Sequence, residues 1–173
     1  IGFGCSNFNF AIYIANQPNM PEYQNLDSVL PLTQGEIYAI GQACGNGWRK
    51  VFNVYAKLLF ELNNKDFDYC KNSLTWQKYR DDYLLQNNTQ TALLFSPPEM
   101  RERTNTLHII CGKTYAKELI NSQQLKVQLT WLDDEFAIDE SNNLIVCPYL
   151  DYRQLSNIKI ERLSKMLSEL KNA

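Results

Sequence analysis

The densest run of recognition and reactive side chains in the chain is Tyr149-Leu150-Asp151-Tyr152-Arg153-Gln154. Tyr149 and Tyr152 offer ring faces on which a base can stack, Arg153 offers a planar fork for phosphate or carboxylate, and Asp151 can orient a water. Asp151 is therefore the candidate catalytic base for any hydrolytic step, with Tyr149, Tyr152 and Arg153 as ligand-binding residues. The structural alternative is an Asp–Arg surface pair beside two half-buried tyrosines, an arrangement that also serves protein interfaces.

Gly112-Lys113-Thr114 ends in the way a phosphate-binding P-loop does. That loop needs a glycine five positions before Gly112, where Leu107 stands, which argues against a triphosphate loop. The chemistry left to it is an anion held by Lys113, Thr114 and the first amides of a helix. The alternative is an ordinary strand-to-helix turn with a surface lysine. Asn16, Gln17 and Tyr23, in a proline-rich stretch, can hydrogen-bond a polar ligand or form Asx-type turns. Ser96 closes an apolar run and joins the same set. Gly45-Asn46-Gly47-Trp48-Arg49-Lys50 combines a flexible turn, an indole and two cations, and reads as a helix break anchored by Trp48. His108 is the one histidine, inside an apolar run, and reads as a hydrogen-bonded core residue. Without a second histidine no Ser–His–Asp or Cys–His set stands at recognisable spacing. Glu99, Arg101, Glu102 and Arg103 read as a solvated charged connection.

The elements that must carry these residues follow from hydrophobic period. Phe8 to Ala15 alternates as a first strand, with Phe8, Phe10, Ile12 and Ile14 on one face. Residues 16–32 hold three prolines and read as a long irregular connection. Thr33-Gln34-Gly35-Glu36 is a capping box, predicting a helix to Cys44. Trp48, Val51, Phe52, Tyr55, Leu58, Leu59 and Leu62 fall at helical spacing. A weaker pattern suggests a helix after Ser73. Thr91 to Phe95 and Leu107 to Cys111 are short apolar runs, right for buried strands and too short for helices. Lys113 to Ile120 reads as a helix, Lys126 to Leu132 as a half-exposed strand, and Phe136–Asp139 with Leu144–Cys147 as a hairpin. Ser156 or Asn157 caps a last helix with Ile160, Leu163, Met166, Leu167 and Leu170 on its buried side.

This order predicts an α/β chain: one domain over 1–173, three α/β/α layers, and a mostly parallel four-stranded central sheet with an antiparallel strand addition. In such sheets ligands bind beyond the carboxyl ends of the strands. Those ends carry Asn16-Gln17-Pro18, Ser96-Pro97-Pro98, Gly112-Lys113-Thr114 and Cys147-Pro148-Tyr149.

Four stretches carry a resemblance: IYIANQPNMPEY (12–23), ALLFSPP (92–98), LHIICGKTYAKEL (107–119) and LIVCPYLDYRQLSN (144–157). In strand order and loop chemistry the chain is similar to the uracil-DNA glycosylase superfamily. The resemblance implies that family's fold and a base-binding pocket. The family's water-activating Asp, base-reading Asn and catalytic His would fall near Gln17, Ser96 and Cys147, so none of those identities is kept. The chain also resembles bacterial proteins to which no function attaches.

Composition narrows the function classes. The 173 residues suffice for a real core, burying roughly 70% of the unfolded surface. Net charge is -2 and the pI near 5.5, so no overall positive field draws the chain to nucleic acid or anionic membrane. No apolar run reaches a membrane span and the N-terminus lacks a signal-peptide pattern, although a start at Ile1 leaves a trimmed leader open. Cysteines at 5, 44, 70, 111 and 147 form no CxxC pair, predicting free thiols, no zinc site and a cytoplasmic location. No cofactor is expected. The expected partner is a base- or nucleotide-like small ligand. A protein-interaction module and a divergent nucleic-acid-binding or repair-like protein are the alternatives.

Overall fold

The computed structural model describes residues 1–100 and 105–173. The connection assigned to Arg101, Glu102 and Arg103 lies outside the described residues. In chain order the elements are β1 (Gly2–Gly4), β2 (Phe10–Tyr13), β3 (Val29–Leu30), α1 (Glu36–Cys44), α2 (Asn46–Glu61), α3 (Trp76–Asp82), β4 (Thr91–Leu94), β5 (Leu107–Cys111), α4 (Lys113–Asn121), β6 (Thr130–Trp131), β7 (Ala137–Asp139), β8 (Leu144–Cys147) and α5 (Asn157–Lys171). The expectation of an α/β chain holds.

The sheet is mixed and wider than the sequence suggested. Among the described residues eight strands lie in the order β3-β1-β4-β2-β5-β8-β7-β6. β2 pairs in parallel with β4 and with β5, and β5 in parallel with β8. The chain thus runs from β2 to β4 on one side, then crosses β2 to reach β5 and β8 on the other. Their carboxyl ends diverge between β2 and β5, which is where an open sheet leaves a crevice. β7 pairs antiparallel with β8 and with β6, so the hairpin expected around residues 140–143 is present.

Strand residues alternate between two apolar clusters. Phe10, Ile12, Leu93, Ile109, Cys111, Ile145 and Cys147 face α1, α2, α3 and α5 through Ile40, Phe52, Tyr55, Tyr79 and Leu163. Ala11, Tyr13, Ala92, Leu94, Ile110 and Val146 face Ala116 and Leu119 of α4, with Leu125 beside them. Period-two burial on both faces explains why these strands read as continuous apolar runs.

Three local readings change. β1 and β3 escape periodicity: β1 is Gly-Phe-Gly, and glycine disfavours strand prediction. It pairs antiparallel with β4 because its backbone lies so close that a Cβ at Gly4 would sit 2.2 Å from the Thr91 carbonyl oxygen. The strand expected over 126–132 shortens to β6. The capping box forms by half: Glu36 Oε1 accepts from the Thr33 amide and hydroxyl, both at 2.8 Å, so that hydroxyl is a donor here and Gly35 is the N-cap.

Candidate functional site

β5 ends at Cys111 and the chain turns at Gly112, with φ at 106°, before α4 starts at Lys113. Left-handed φ favours glycine there, and the Gly112 amide still donates to the Cys147 carbonyl at 2.7 Å. The turn therefore continues the β5–β8 ladder while redirecting the chain. Lys113 and Thr114 occupy the first turn of α4, where amides have no partner within the helix. Asn16 follows β2, and Pro148-Tyr149 follows β8.

These ends enclose a crevice of about 570 Å³. Asn16, Lys113, Thr114 and Tyr149, predicted from separate stretches, line it together, with Cys111 and Gly112 as its floor. The volume lies within the range usual for small-molecule sites. A second chamber of about 630 Å³, over Phe95 and Pro97, adjoins it at Ala15, Tyr115 and Glu118.

Burial raises the Tyr149 phenol, with Cys111 adding to the rise, while the Asn16 amide pulls the other way. Burial raises Tyr115 as well. Both phenols stay protonated at neutral pH, offering a ring face and a hydroxyl that donates or accepts. Below them the Cys111 and Cys147 thiols lie 3.6 Å apart, and burial followed by the Cys147 contact pushes the Cys111 thiol up. A thiol held in its neutral form is a poor nucleophile. No histidine lines the crevice either. The groups present suit recognition of a polar, planar molecule better than nucleophilic attack.

Gln154, the last residue of the tyrosine-rich run, also lines the crevice, and two lining carboxyl groups were missed from sequence: Glu118 and Glu135. Glu118 lies one turn beyond Thr114 on α4, a spacing that helical period could have flagged. Glu135 comes from the turn before β7 and is neutralised by Lys159 at 2.7 Å, a pairing that no local pattern announces.

The other predicted residues stand elsewhere. Asp151 pairs with Lys50 at 3.7 Å and with Arg153 Nε at 4.0 Å, and its Oδ1 accepts from the Arg153 amide at 2.9 Å. The Tyr152 ring lies under Lys50 at 5.3 Å and Arg153 at 5.7 Å. Asp151, Tyr152 and Arg153 thus form a cation–aromatic cluster on the loop that carries Tyr149, joined to the Gly45–Lys50 stretch. Gln17 is exposed and outside the lining set. Tyr23 is buried and donates to Glu36 Oε2 at 2.7 Å, beneath α1. Ser96 Oγ accepts from the Ile1 nitrogen at 3.3 Å. His108 is buried, with Nδ1 2.7 Å from the Tyr13 hydroxyl, three residues and so about 10 Å upstream of the crevice floor. Among the described residues no group of three or more His, Cys, Asp or Glu could hold a metal ion, and no helix is long and apolar enough to cross a membrane.

Residues 1–168 match the family described as "Family of unknown function (DUF6942)". The chain belongs to that family. No curated protein and no solved structure matches it. In this DUF6942 chain the crevice is the feature that bears most directly on function.

Proposed function

We propose that the protein binds a base- or nucleotide-like small ligand in the crevice at the carboxyl ends of β2, β5 and β8. The observation that carries this reading is convergence: Asn16, Lys113, Thr114 and Tyr149, from three strand ends, line one cavity of about 570 Å³. Tyr149 supplies a ring face and a hydroxyl, and Asn16 a paired donor and acceptor for a base edge. Lys113, with the amides at the start of α4, supplies the anion site. Tyr152 and Arg153 form the rim beside Lys50 and extend the positive surface toward a phosphate tail. In this reading the helices on both sheet faces make the three-layer scaffold similar to the uracil-DNA glycosylases. Asp151, outside the lining but on the loop that leaves the crevice at Tyr149, is the candidate base for any hydrolytic step and would have to exchange its Lys50 contact for a water. The five free cysteines favour a reducing, cytoplasmic setting.

The test is thermal unfolding against free bases, nucleosides, nucleotides and short oligonucleotides. A ligand at a hundred times its Kd adds about 2.7 kcal/mol, which for a chain of this length raises the midpoint by roughly 5–10 °C. The expected result is a shift with one of these classes that Tyr149→Ala abolishes. A flat panel at millimolar concentrations removes the reading.

A second reading, a protein-interaction module, draws on exposed apolar residues. Leu74, Ile158 and Tyr38 are 95%, 79% and 72% exposed. Tyr38 is on α1, Leu74 just before α3 and Ile158 on α5, and each would have to converge with the others to make a docking patch.

A further inference from the structure

The crevice is lined by two exposed charged side chains of opposite sign that no protein group neutralises among the described residues. Glu118 lines both chambers and stands at their junction. Its carboxylate has no hydrogen bond or ion pair among the described residues, and neither has the Lys113 ammonium. The other carboxylate of the crevice, Glu135, is already held by Lys159 at 2.7 and 3.0 Å. Glu118 is therefore the open acceptor of the site, and Lys113 its open donor.

Their spacing selects among ligands. They stand five positions apart on α4, about 7.5 Å along the helix axis. An α-amino acid, with its two charged groups on one carbon, meets both only if the two long side chains converge. A nucleotide carries its phosphate a sugar ring away from its base and reaches further. A carboxylate only accepts hydrogen bonds. It attracts an exocyclic amine or ring N–H, and it repels a keto oxygen at the same place.

We propose that Glu118 makes the crevice selective for nucleotides whose base presents an exocyclic amine, with Lys113 taking the phosphate. This rests on the crevice being a base- or nucleotide-like site, and adds which bases it takes. A carboxylate accepting from a base amine is one of the ordinary ways that proteins tell bases apart, worth about tenfold or more in affinity. Asn16 and Tyr149 do not discriminate in this way, since an amide and a hydroxyl each both donate and accept.

The experiment is calorimetric titration of the full chain with two matched pairs: CMP against UMP, and GMP against IMP. Members of each pair differ in whether the base bears the amine. The same four are titrated into Glu118→Gln, with inorganic phosphate as the control anion. Glu118 is exposed and unpaired, so the variant should unfold at the wild-type midpoint, which is checked first. The expected result is that the amine-bearing member of at least one pair binds about tenfold tighter, and that Glu118→Gln removes the difference by weakening that member. Equal binding within both pairs, a preference for the member without the amine, or discrimination that survives in Glu118→Gln overturns the role of Glu118 and leaves the crevice reading standing. Binding of none of the four, or of phosphate alone, overturns the role of Glu118, and a flat panel across bases, nucleosides and oligonucleotides as well overturns the crevice reading with it.

Discussion

Lys50 Nζ lies 3.7 Å from Asp151 Oδ2, joining the first turns of α2 to the loop after β8. Each belongs to a short motif that looks complete by itself: a glycine turn with cations, and a tyrosine-rich strand end. The contact makes them one surface, with the Tyr152 ring beneath Lys50. It also locates the Tyr149 loop, because Tyr149 stands two residues before Asp151 and its carbonyl accepts the Asp151 amide at 2.8 Å.

The Lys50–Asp151 pair should couple measurably. Both side chains are about one-fifth exposed, at 21% and 22%, so solvent screens them incompletely. A double-mutant cycle of Lys50→Ala and Asp151→Ala, read from urea unfolding, should give a coupling of about 0.5–1 kcal/mol. Arg153, 69% exposed and 4.0 Å away, should give a much smaller coupling to Asp151. A larger coupling for Arg153 would contradict this account of the rim.

Two glycines should respond unequally to alanine. Gly112 has φ at 106°, with no atom within 4 Å of an added Cβ, so Gly112→Ala costs only backbone strain, about 1–3 kcal/mol. Gly4 has φ at 122°, and its added Cβ would meet the Thr91 carbonyl oxygen at 2.2 Å. Gly4→Ala should therefore be the more damaging, since β1 must also move away from β4. Urea midpoints compared side by side test the order, and the reverse order would refute the packing argument.

Acid should destabilise the fold through Asp133 and Asp139. The Arg162 guanidinium holds Asp133 at 2.5 Å, and the Glu135 and Phe136 amides donate to it, placing its pKa at about 2. Burial works to raise Asp139, but Asn142, Ser141 and the Gln128 amide donate to it and leave it lowered. A carboxyl with a folded pKa below its unfolded value of about 3.9 binds its proton first in the unfolded chain. Its stabilisation is complete above about pH 5 and is lost as pH falls toward 2. Urea midpoints should drop across that window, and Asp133→Asn should flatten the drop. Added salt should weaken the Asp133 share, because that ion pair is about two-fifths exposed. A pH dependence unchanged in Asp133→Asn would exclude its role.

Much of the fold was legible because local pattern and buried face agree. β2, β5 and β8 read as strands since they are buried on both faces, and α2 and α5 read as helices since one stripe of each packs on the sheet. β1 was not legible: Gly2 and Gly4 carry no side chain to alternate, and their value lies in backbone approach to a strand far along the chain. β3, two residues inside a proline-rich stretch, exists by pairing with β1. Of the site, the strand ends were visible as breaks after apolar runs. Tyr23 was misleading for the crevice, because a tyrosine in a loop looks available until its hydroxyl is found on Glu36 in the interior.

Taken alone, the sequence determined the apolar runs, the glycine turn before α4, the helical stripes, the near-neutral charge and the free thiols. These are local or summed properties, written in neighbouring residues and in composition. Tertiary structure decided which strand lies beside which. The crossing of β2 sets Asn16 across from Tyr149, brings Glu118 and Glu135 into one crevice, gives Glu135 its Lys159 partner, and leaves Glu118 and Lys113 without any among the described residues. Such pairings depend on packing between elements distant in the chain, and hydrophobic period reports only which face of an element is buried, not what it is buried against.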